Sequence, residues 1–520
     1  SGLMQIESIP VTRNGKLDKK ALPEIDFLGN NLYVKPNTEL EIQLCQAFET
    51  ILKISPVGLN DDFFELGGHS LRVMRLINQI QSIAEIKLSV KDVLRNTTPA
   101  SLATLLEEKK HADQDSFKEV EVIPYAEKKD YYSMSEAQRR IYGYYSTNPK
   151  SLTYNIPVLF KLSGDFNPEK AEDALARMTQ RHSSLRTYFK VMDKDVVQVI
   201  EEENKTDFEV IKTELLWKDL VKDLIKPFNL EKAPLLRVRY LSCADGEYLF
   251  FDIHHIISDG FSMEIFAREF AAQYSHGFNN EKVRQYVDYS EWEKTRNLSE
   301  SKEYWKQQLQ EFDAPEQFLT DYPYLENESD IGKILYKRLG SDKIEEVAEK
   351  YHVSEFAVFM GALLVLNAEY KNADMACVGT AVSGRNHPEV EQMLGVFVNL
   401  LPIYSRIDRN QKMGEFISKL SAKLSEVLEY QEYPVNSLYE GESLFDCVLA
   451  YQNFEKYVVQ NSSFELEQIP ITSETAKYNL TFEVKKTEKE FDISLEYKQN
   501  HFQKESAEWI LEHFVKILEN

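Results

Sequence analysis

The sequence predicts a multidomain chain, a small all-α helical bundle followed by a larger α/β body of two lobes. Three observations carry that expectation. A chain of 520 residues exceeds what one hydrophobic core holds, and its 43% hydrophobic content can fill several. Apolar residues recur at helical spacing from about Pro36 to Glu108, whereas strand-forming runs alternate with helical patterns from Tyr131 onward. Between these regions, residues 107–130, EEKKHADQDSFKEVEVIPYAEKKD, are charged and poor in core formers, and read as an interdomain linker.

Taken in order, the opening SGLMQIESIPVTRNGKLDKKALP is too short for a domain, and its Asn14-Gly15 pair signals a turn. In the helical unit, Leu40, Leu44, Phe48, Ile51 and Leu52 mark one helix face, started by Asn37 or Thr38. Val73, Ile77 and Ile80 mark a second helix, and Asp92 to Leu105, broken at Thr98-Pro99, completes the bundle. Between the first two helices lies DDFFELGGHS, where Gly67 and Gly68 permit a tight bend before Ser70. By position alone Ser70 reads as a helix N-cap. The same position suits an attached phosphate, because unpaired N–H groups and the positive helix end favour an anion.

The α/β body divides near Ser301 into two lobes too long together for one core. A helix is expected from about Pro168 to His182, with Ala171, Leu175 and Met178 on one face. The apolar run Leu249 to Ile253 leads as a strand into His254 and His255, and Asp259-Gly260 then signals a turn. Successive strand side chains face opposite ways, so one histidine is free for chemistry and the other is buried support. Phe266, Phe270 and Tyr274 continue at helical spacing, with Ser262 placed to cap that helix. In the second lobe a buried helix, Phe356 to Leu366 at its centre, precedes the strand ACVGTAVSGR, and Asn399 sits in an apolar strand where its amide needs partners.

Composition narrows the function. A net charge of −24 opposes nucleic acid and anionic membrane surfaces. Cys45, Cys243, Cys377 and Cys447 are scattered without a CxxC pair, which suits free thiols in a reducing cytoplasm. No signal segment opens the chain, and no apolar run is long enough to cross a bilayer. No metal is expected, since the adjacent histidines lack HExxH-like spacing and a third ligand.

Several motifs carry a family resemblance. HHIISDG resembles the HHxxxDG motif of the condensation domains of nonribosomal peptide synthetases, and DDFFELGGHSL resembles the peptidyl carrier motif of the same synthetases. SMSEAQRRIYGYY, RHSSLRTYF, QYVDYSEW and the SGR…GVFVN segment resemble further condensation motifs, with Ser183 standing where the family has glutamate. PVTRNGKLD resembles the end of an adenylation domain. The resemblance implies an adenylation remnant at 1–30, a carrier domain at 31–108, a linker at 109–130, and condensation lobes at 131–300 and 301–520, each lobe similar to chloramphenicol acetyltransferase. A tyrocidine-type bacterial synthetase fits this order. Without the nucleotide-binding body, Lys16 is an orphan, and the chain is not expected to activate amino acids.

The resemblance further implies 4′-phosphopantetheine on Ser70, placed there by a phosphopantetheinyl transferase, with aminoacyl and peptidyl carrier domains and adjacent adenylation domains as partners. A thioester is already activated, so holding two carrier arms together is the chief requirement. His255 is the expected proton acceptor or amine-orienting group, with His254 as support and an ordinary imidazole pKa of about 6.5 suited to the role. Asp259, with Gly260 beside it, holds the loop and needs a cationic partner. Arg181, Arg186 and Arg385 are the supporting arginines, and arginine can pair with a carboxylate through two nitrogens. Asn399 and backbone N–H groups are candidate donors to a developing oxyanion. Epimerization of the carrier-bound residue and a silent carrier-docking module are the alternatives. Carriers serving epimerization domains usually show Asp where His69 stands, and the loop after DG there usually contains Trp where Met263 stands. A heterocyclization domain would replace the paired histidines.

Overall fold

The computed structural model describes residues 33–52, 54–66, 68, 70–86, 88–112, 122–276, 283–310, 318–323, 330–438, 444–452, 458–460, 463–471, 474–487 and 489–520. The expected adenylation remnant, with Lys16, lies outside them, as do Gly67 and His69. The chain forms two compact units, 1–120 and 121–520.

The first unit is the predicted helical bundle, with helices Glu39–Leu52, Ser70–Ala84, Val90–Arg95 and Pro99–Ala112. Thr38 starts the first of them: its Oγ1 accepts the Glu41 N–H at 3.2 Å, while the Glu41 carboxylate accepts the N–H groups of Asn37 and Thr38. Leu44, Phe48, Val73, Leu76, Ile77, Ile80, Val93 and Leu102 close the core. Before the second helix the loop folds tightly onto Phe63, whose carbonyl accepts the Gly68 N–H at 2.7 Å. A β-carbon on Gly68 would stand 2.2 Å from the Phe63 ring, so only glycine lets the loop deliver Ser70 to the helix start.

The second unit is built on two six-stranded sheets and a small three-stranded one. In the first large sheet the strand Gly246–His254 is central, paired antiparallel with Asn155–Gly164 and Leu236–Cys243. Both faces of its apolar run are covered, which accounts for the absence of polar alternation in Tyr248–Ile253. Helices Pro168–Arg181 and Gly260–His276 cover this sheet, with Ala171, Leu175, Met178, Phe266 and Phe270 buried. Asn167 caps the former. The second large sheet runs Asn399–Arg406, Met375–Val382, Cys447–Gln452, Leu480–Lys486, Glu490–Lys498 and Gly332–Gly340. Helix Glu355–Lys371 backs it and is buried on nearly all sides, because its apolar residues surround the axis rather than forming one stripe.

The lobes are not the two contiguous halves expected from the sequence. Phe464–Ile469, far into the second stretch, pairs antiparallel with Asn155–Gly164 and buries Phe464 and Leu466 in the first lobe's core. Val390, Met393, Leu394, Val396 and Phe397 join the same core. The linker is also shorter than expected. Residues 122–130 lie against the α/β body, where Ile123 is fully buried, its N–H donates to Glu389 at 2.7 Å, and Tyr125 stacks under the Arg284 guanidinium. One isoleucine and one tyrosine are enough to seat this otherwise charged segment.

Candidate active site

The strand Gly246–His254 ends at the seam between the lobes, and a short 3-10 turn, His255–Ile257, redirects the chain into helix Gly260–His276. The two histidines differ in exposure. His254 is buried: its Nδ1 accepts the Ile256 N–H at 3.2 Å, and its ring packs near Phe228 and Tyr154. Burial, then the neighbouring His255 and Arg237, depress its pKa to about 3, so it stays neutral. Two residues earlier Asp252, fully buried, accepts hydrogen bonds from Asn155 Nδ2 and Arg237 Nη1, and Arg237 lies over the Phe228 ring at 3.7 Å. This network fixes the strand end beneath His254.

His255 is the half-buried member of the pair. Its backbone N–H donates to the Tyr154 carbonyl at 2.8 Å, the Tyr154 ring stands edge-on to the imidazole at 6.0 Å, and ring Nδ1 is buried with no hydrogen-bond partner among the described residues. Burial, followed by the positive charge of Lys477, holds its pKa well below the ordinary imidazole range, against the weaker opposing pull of Asp259. The ring is therefore neutral at physiological pH and offers lone-pair density. Such a weak base suits orienting an amine better than carrying its proton, which refines the expectation of an ordinary imidazole pKa.

Asp259 has no exposure and holds three places together. Its Oδ1 accepts the Ser262 N–H at 2.7 Å and an Arg385 Nη2–H at 3.0 Å, and its Oδ2 accepts the Phe397 N–H at 3.0 Å. Asp259, not Ser262, thus caps helix Gly260–His276, with Gly260 as its exposed first residue. The Ser262 hydroxyl donates to the Gly395 carbonyl and accepts from Gly395 N–H and Arg385. The partner of Asp259 is neither Arg181 nor Arg186, the two arginines expected for it, but Arg385, through Nη2; its Nη1 donates to the carbonyls of Val390 and Met393. Arg181 pairs with Glu269 at 3.3 Å, and Arg186 donates to the carbonyls of Thr179 and Glu201. Gly384 precedes Arg385 at φ +65, and a β-carbon there would stand 1.9 Å from the Phe397 carbonyl oxygen. Only glycine permits this turn.

Asn399 departs from its expected role. Both protons of its amide are used, donated to the carbonyls of Gln431 at 2.7 Å and Tyr433 at 2.9 Å, so none is left for an oxyanion. Its Oδ1 accepts the Leu400 N–H and Arg140 Nη1–H, and Arg140 also donates to the Val398 carbonyl. Asn399 is a clasp at the seam. Sequence reasoning missed Arg140, Tyr154 and Lys477, which the fold brings to the histidine from three separate segments. Arg140 lay inside a quoted motif, SEAQRR, but nothing in ETAKYN marks Lys477. Among the described residues no cluster of His, Cys, Asp and Glu could hold a metal ion. No single described helix is long and apolar enough to cross a membrane.

The α/β body is two-lobed with a half-buried histidine at its seam, and a helical bundle with a serine at a helix start precedes it in the chain. Residues 128–520 match the family described as the condensation domain, and residues 43–106 match the phosphopantetheine attachment site, so the chain belongs to the condensation domain family and carries a phosphopantetheine attachment domain ahead of it. It is 31% identical to tyrocidine synthase 3 of Brevibacillus parabrevis over 549 residues, covering 100% of this chain and 8% of that protein. It is 30% identical to bacitracin synthase 3 of Bacillus licheniformis over 541 residues, covering 99% of this chain and 8% of that protein. The chain thus spans less than a tenth of the length of these curated relatives. Its fold is similar to a four-domain nonribosomal peptide synthetase bound to AMP and glycine, with a TM-score of 0.69 at 20% identity over 76% of this chain and 33% of that one. It is also similar to the X-domain from teicoplanin biosynthesis, with a TM-score of 0.68 at 18% identity over 77% of this chain and 96% of that one.

The attachment domain fits its cofactor on structural grounds. Ser70 opens a 15-residue helix with no acidic residue in its first turn, and the Gly68 bend delivers it there. A phosphodiester on that serine would lie at the positive end of the helix.

Proposed function

We propose that this chain forms peptide bonds in nonribosomal peptide synthesis, passing a peptidyl group from a carrier thioester to the amine of a downstream aminoacyl carrier. The observation that carries this reading is His255, half-buried at the seam and held in place by Tyr154 while Asp259 fixes the loop that follows. Ser70 is the attachment point; when bound there, the pantetheine arm supplies a thiol that holds the acyl group as a thioester. The carrier domain precedes the condensation domain, which makes it the donor carrier. Neutral His255 accepts a hydrogen bond from the acceptor amine and orients its lone pair at the thioester carbon. His254 and the Asp252, Arg237 and Asn155 network keep the imidazole from turning away, and Asp259 with Arg385 locks the following helix to the second lobe. Aminoacyl and peptidyl carriers, adjacent adenylation domains and a phosphopantetheinyl transferase are the partners, and the cytoplasm is the compartment.

Two experiments test this. His255→Ala is expected to slow dipeptide formation between loaded carriers by about a hundredfold or more, and unchanged turnover would remove His255 from the mechanism. Incubation with coenzyme A and a phosphopantetheinyl transferase is expected to add the arm's mass on Ser70, and failure to label Ser70 would refute the attachment site.

A further inference from the structure

Lys477 belongs to the segment between residues 474 and 479, which joins the two edges of the seam. The segment is firmly held: Ala476 is fully buried and its N–H donates to the Asp330 carbonyl at 2.8 Å, the Glu474 carbonyl accepts the Gly332 N–H at 2.8 Å, and the Lys477 N–H donates to the Glu496 carboxylate. From there the Lys477 side chain reaches the first lobe, with Nζ 4.5 Å from the centroid of the Tyr154 ring and 5.1 Å from that of Tyr478. Tyr154 is the residue whose carbonyl holds the His255 N–H and whose ring meets the imidazole edge-on. One aromatic ring therefore meets both the proposed amine-orienting histidine and an ammonium.

In a chain with 85 acidic and 61 basic residues, the ammonium of Lys477 forms no ion pair with a carboxylate among the described residues. The charge nearest in effect is another cation, Arg140. Lys477 and Arg140 are two half-buried cations that repel one another, and both act on the Tyr154 and His255 pair. The side chains first expected to serve the developing oxyanion supply no free proton for it. Asn399 has spent both amide protons, Asp259 is an acceptor, and neutral His255 presents a lone pair to the amine.

We propose that Lys477 is a catalytic residue, its ammonium donating a hydrogen bond to the donor carbonyl oxygen as negative charge gathers there. The inference rests on the peptide-bond-forming reading above and supplies the electrophilic half of the site. The acceptor nitrogen's lone pair forms the C–N bond while the carbonyl π pair moves onto oxygen, opposite the ammonium of Lys477. When that pair returns, the C–S bond breaks and the sulfur leaves as thiolate. The thiolate takes up the proton released by the acceptor nitrogen, which balances the reaction without any further reactant. An ammonium held at the seam stabilises that oxygen without reorganising, and groups of this kind account for rate factors of about 10²–10³.

The test uses the full chain, its carrier loaded with a neutral donor residue, and a separate carrier loaded with a neutral acceptor, in single-turnover quench measurements across pH. Lys477→Met is expected to lower the rate about 10²–10³-fold with the concentration dependence on acceptor carrier unchanged. Lys477→Arg keeps the charge and is expected to recover to within about tenfold of wild type. It carries a distinct signature. Burial and Arg140 pull the Lys477 pKa down to about 7, and the groups around it are Arg140, His255, Tyr154, Tyr478 and the Glu496 carboxylate on its backbone. Wild type should lose rate as pH rises through that value, whereas an arginine, charged throughout, should not. A Lys477→Met rate within about threefold of wild type overturns the proposal, as does a loss seen only with acidic donor or acceptor residues, which would make Lys477 a side-chain reader. If Lys477→Met fails to fold, the Lys477→Arg profile decides, and a descending limb identical to wild type overturns it. His255→Ala is run in parallel: if that variant is slow while Lys477→Met is not, this inference fails and the proposed function stands.

Discussion

Replacing Arg385 by methionine keeps an unbranched side chain while removing the partner of a carboxylate that has no contact with solvent. Asp259 would retain only the N–H groups of Ser262 and Phe397, and the carbonyls of Val390 and Met393 and the Ser262 hydroxyl would each lose a donor. Breaking a buried pair from one side costs about 3–5 kcal/mol, because the remaining charge is left in a low-dielectric site. The double variant Asp259→Asn with Arg385→Met removes that stranded charge. Its cost should fall short of the sum of the single variants by about 1–3 kcal/mol. All four tryptophans, Trp217, Trp292, Trp305 and Trp509, lie in the 121–520 unit, so their fluorescence in urea follows that unit alone. An Arg385→Met loss below about 1 kcal/mol, or a double variant equal to the sum, would refute the clasp.

Three further outcomes follow from the same geometry. His254 binds its proton in the unfolded chain near pH 6.5 but in the folded chain only near 3, so its contribution is complete above 6.5 and is lost as pH falls through that window. Asp252, raised to about 6 by burial, works in the opposite sense, so the comparison is with His254→Gln, which should show a shallower fall in urea midpoint between pH 6.5 and 5; an unchanged slope would contradict it. Asn399→Ala should cost about 1–3 kcal/mol of stability through the Gln431 and Tyr433 carbonyls. Its dipeptide rate should fall less than about tenfold, and a fall of about a hundredfold at full stability would restore the oxyanion role. Gly384→Ala must place a β-carbon against the Phe397 carbonyl at a left-handed φ, so its melting temperature should drop clearly, and an unchanged value would count against the turn.

Much of the site was legible because it is local. An apolar run ending in two histidines can present only one of them to a cavity, and a half-buried His255 beside a buried His254 is what the strand delivers. The bundle around Ser70 was legible for the same reason, since helical spacing and a glycine bend act over a few residues. The partner of Asp259 was not, because 126 positions separate it from Arg385, while Arg181 and Arg186, the arginines expected for it, sit together in the RHSSLRTYF motif. The cap was misassigned to Ser262 because serine and aspartate are both good caps, and only the backbone direction chose Asp259.

Sequence alone therefore determined which of the paired histidines faces an opening and which a core, for neighbours along the chain fix the direction of each. Only the tertiary structure decided how their charges are balanced. The crossing of residues 464–469 into the first sheet, the exhaustion of the Asn399 amide and the approach of Lys477 to Tyr154 each depend on segments far apart in the chain. Hydrogen bonds and fields act over a few ångströms of space, and no spacing along a chain encodes that distance.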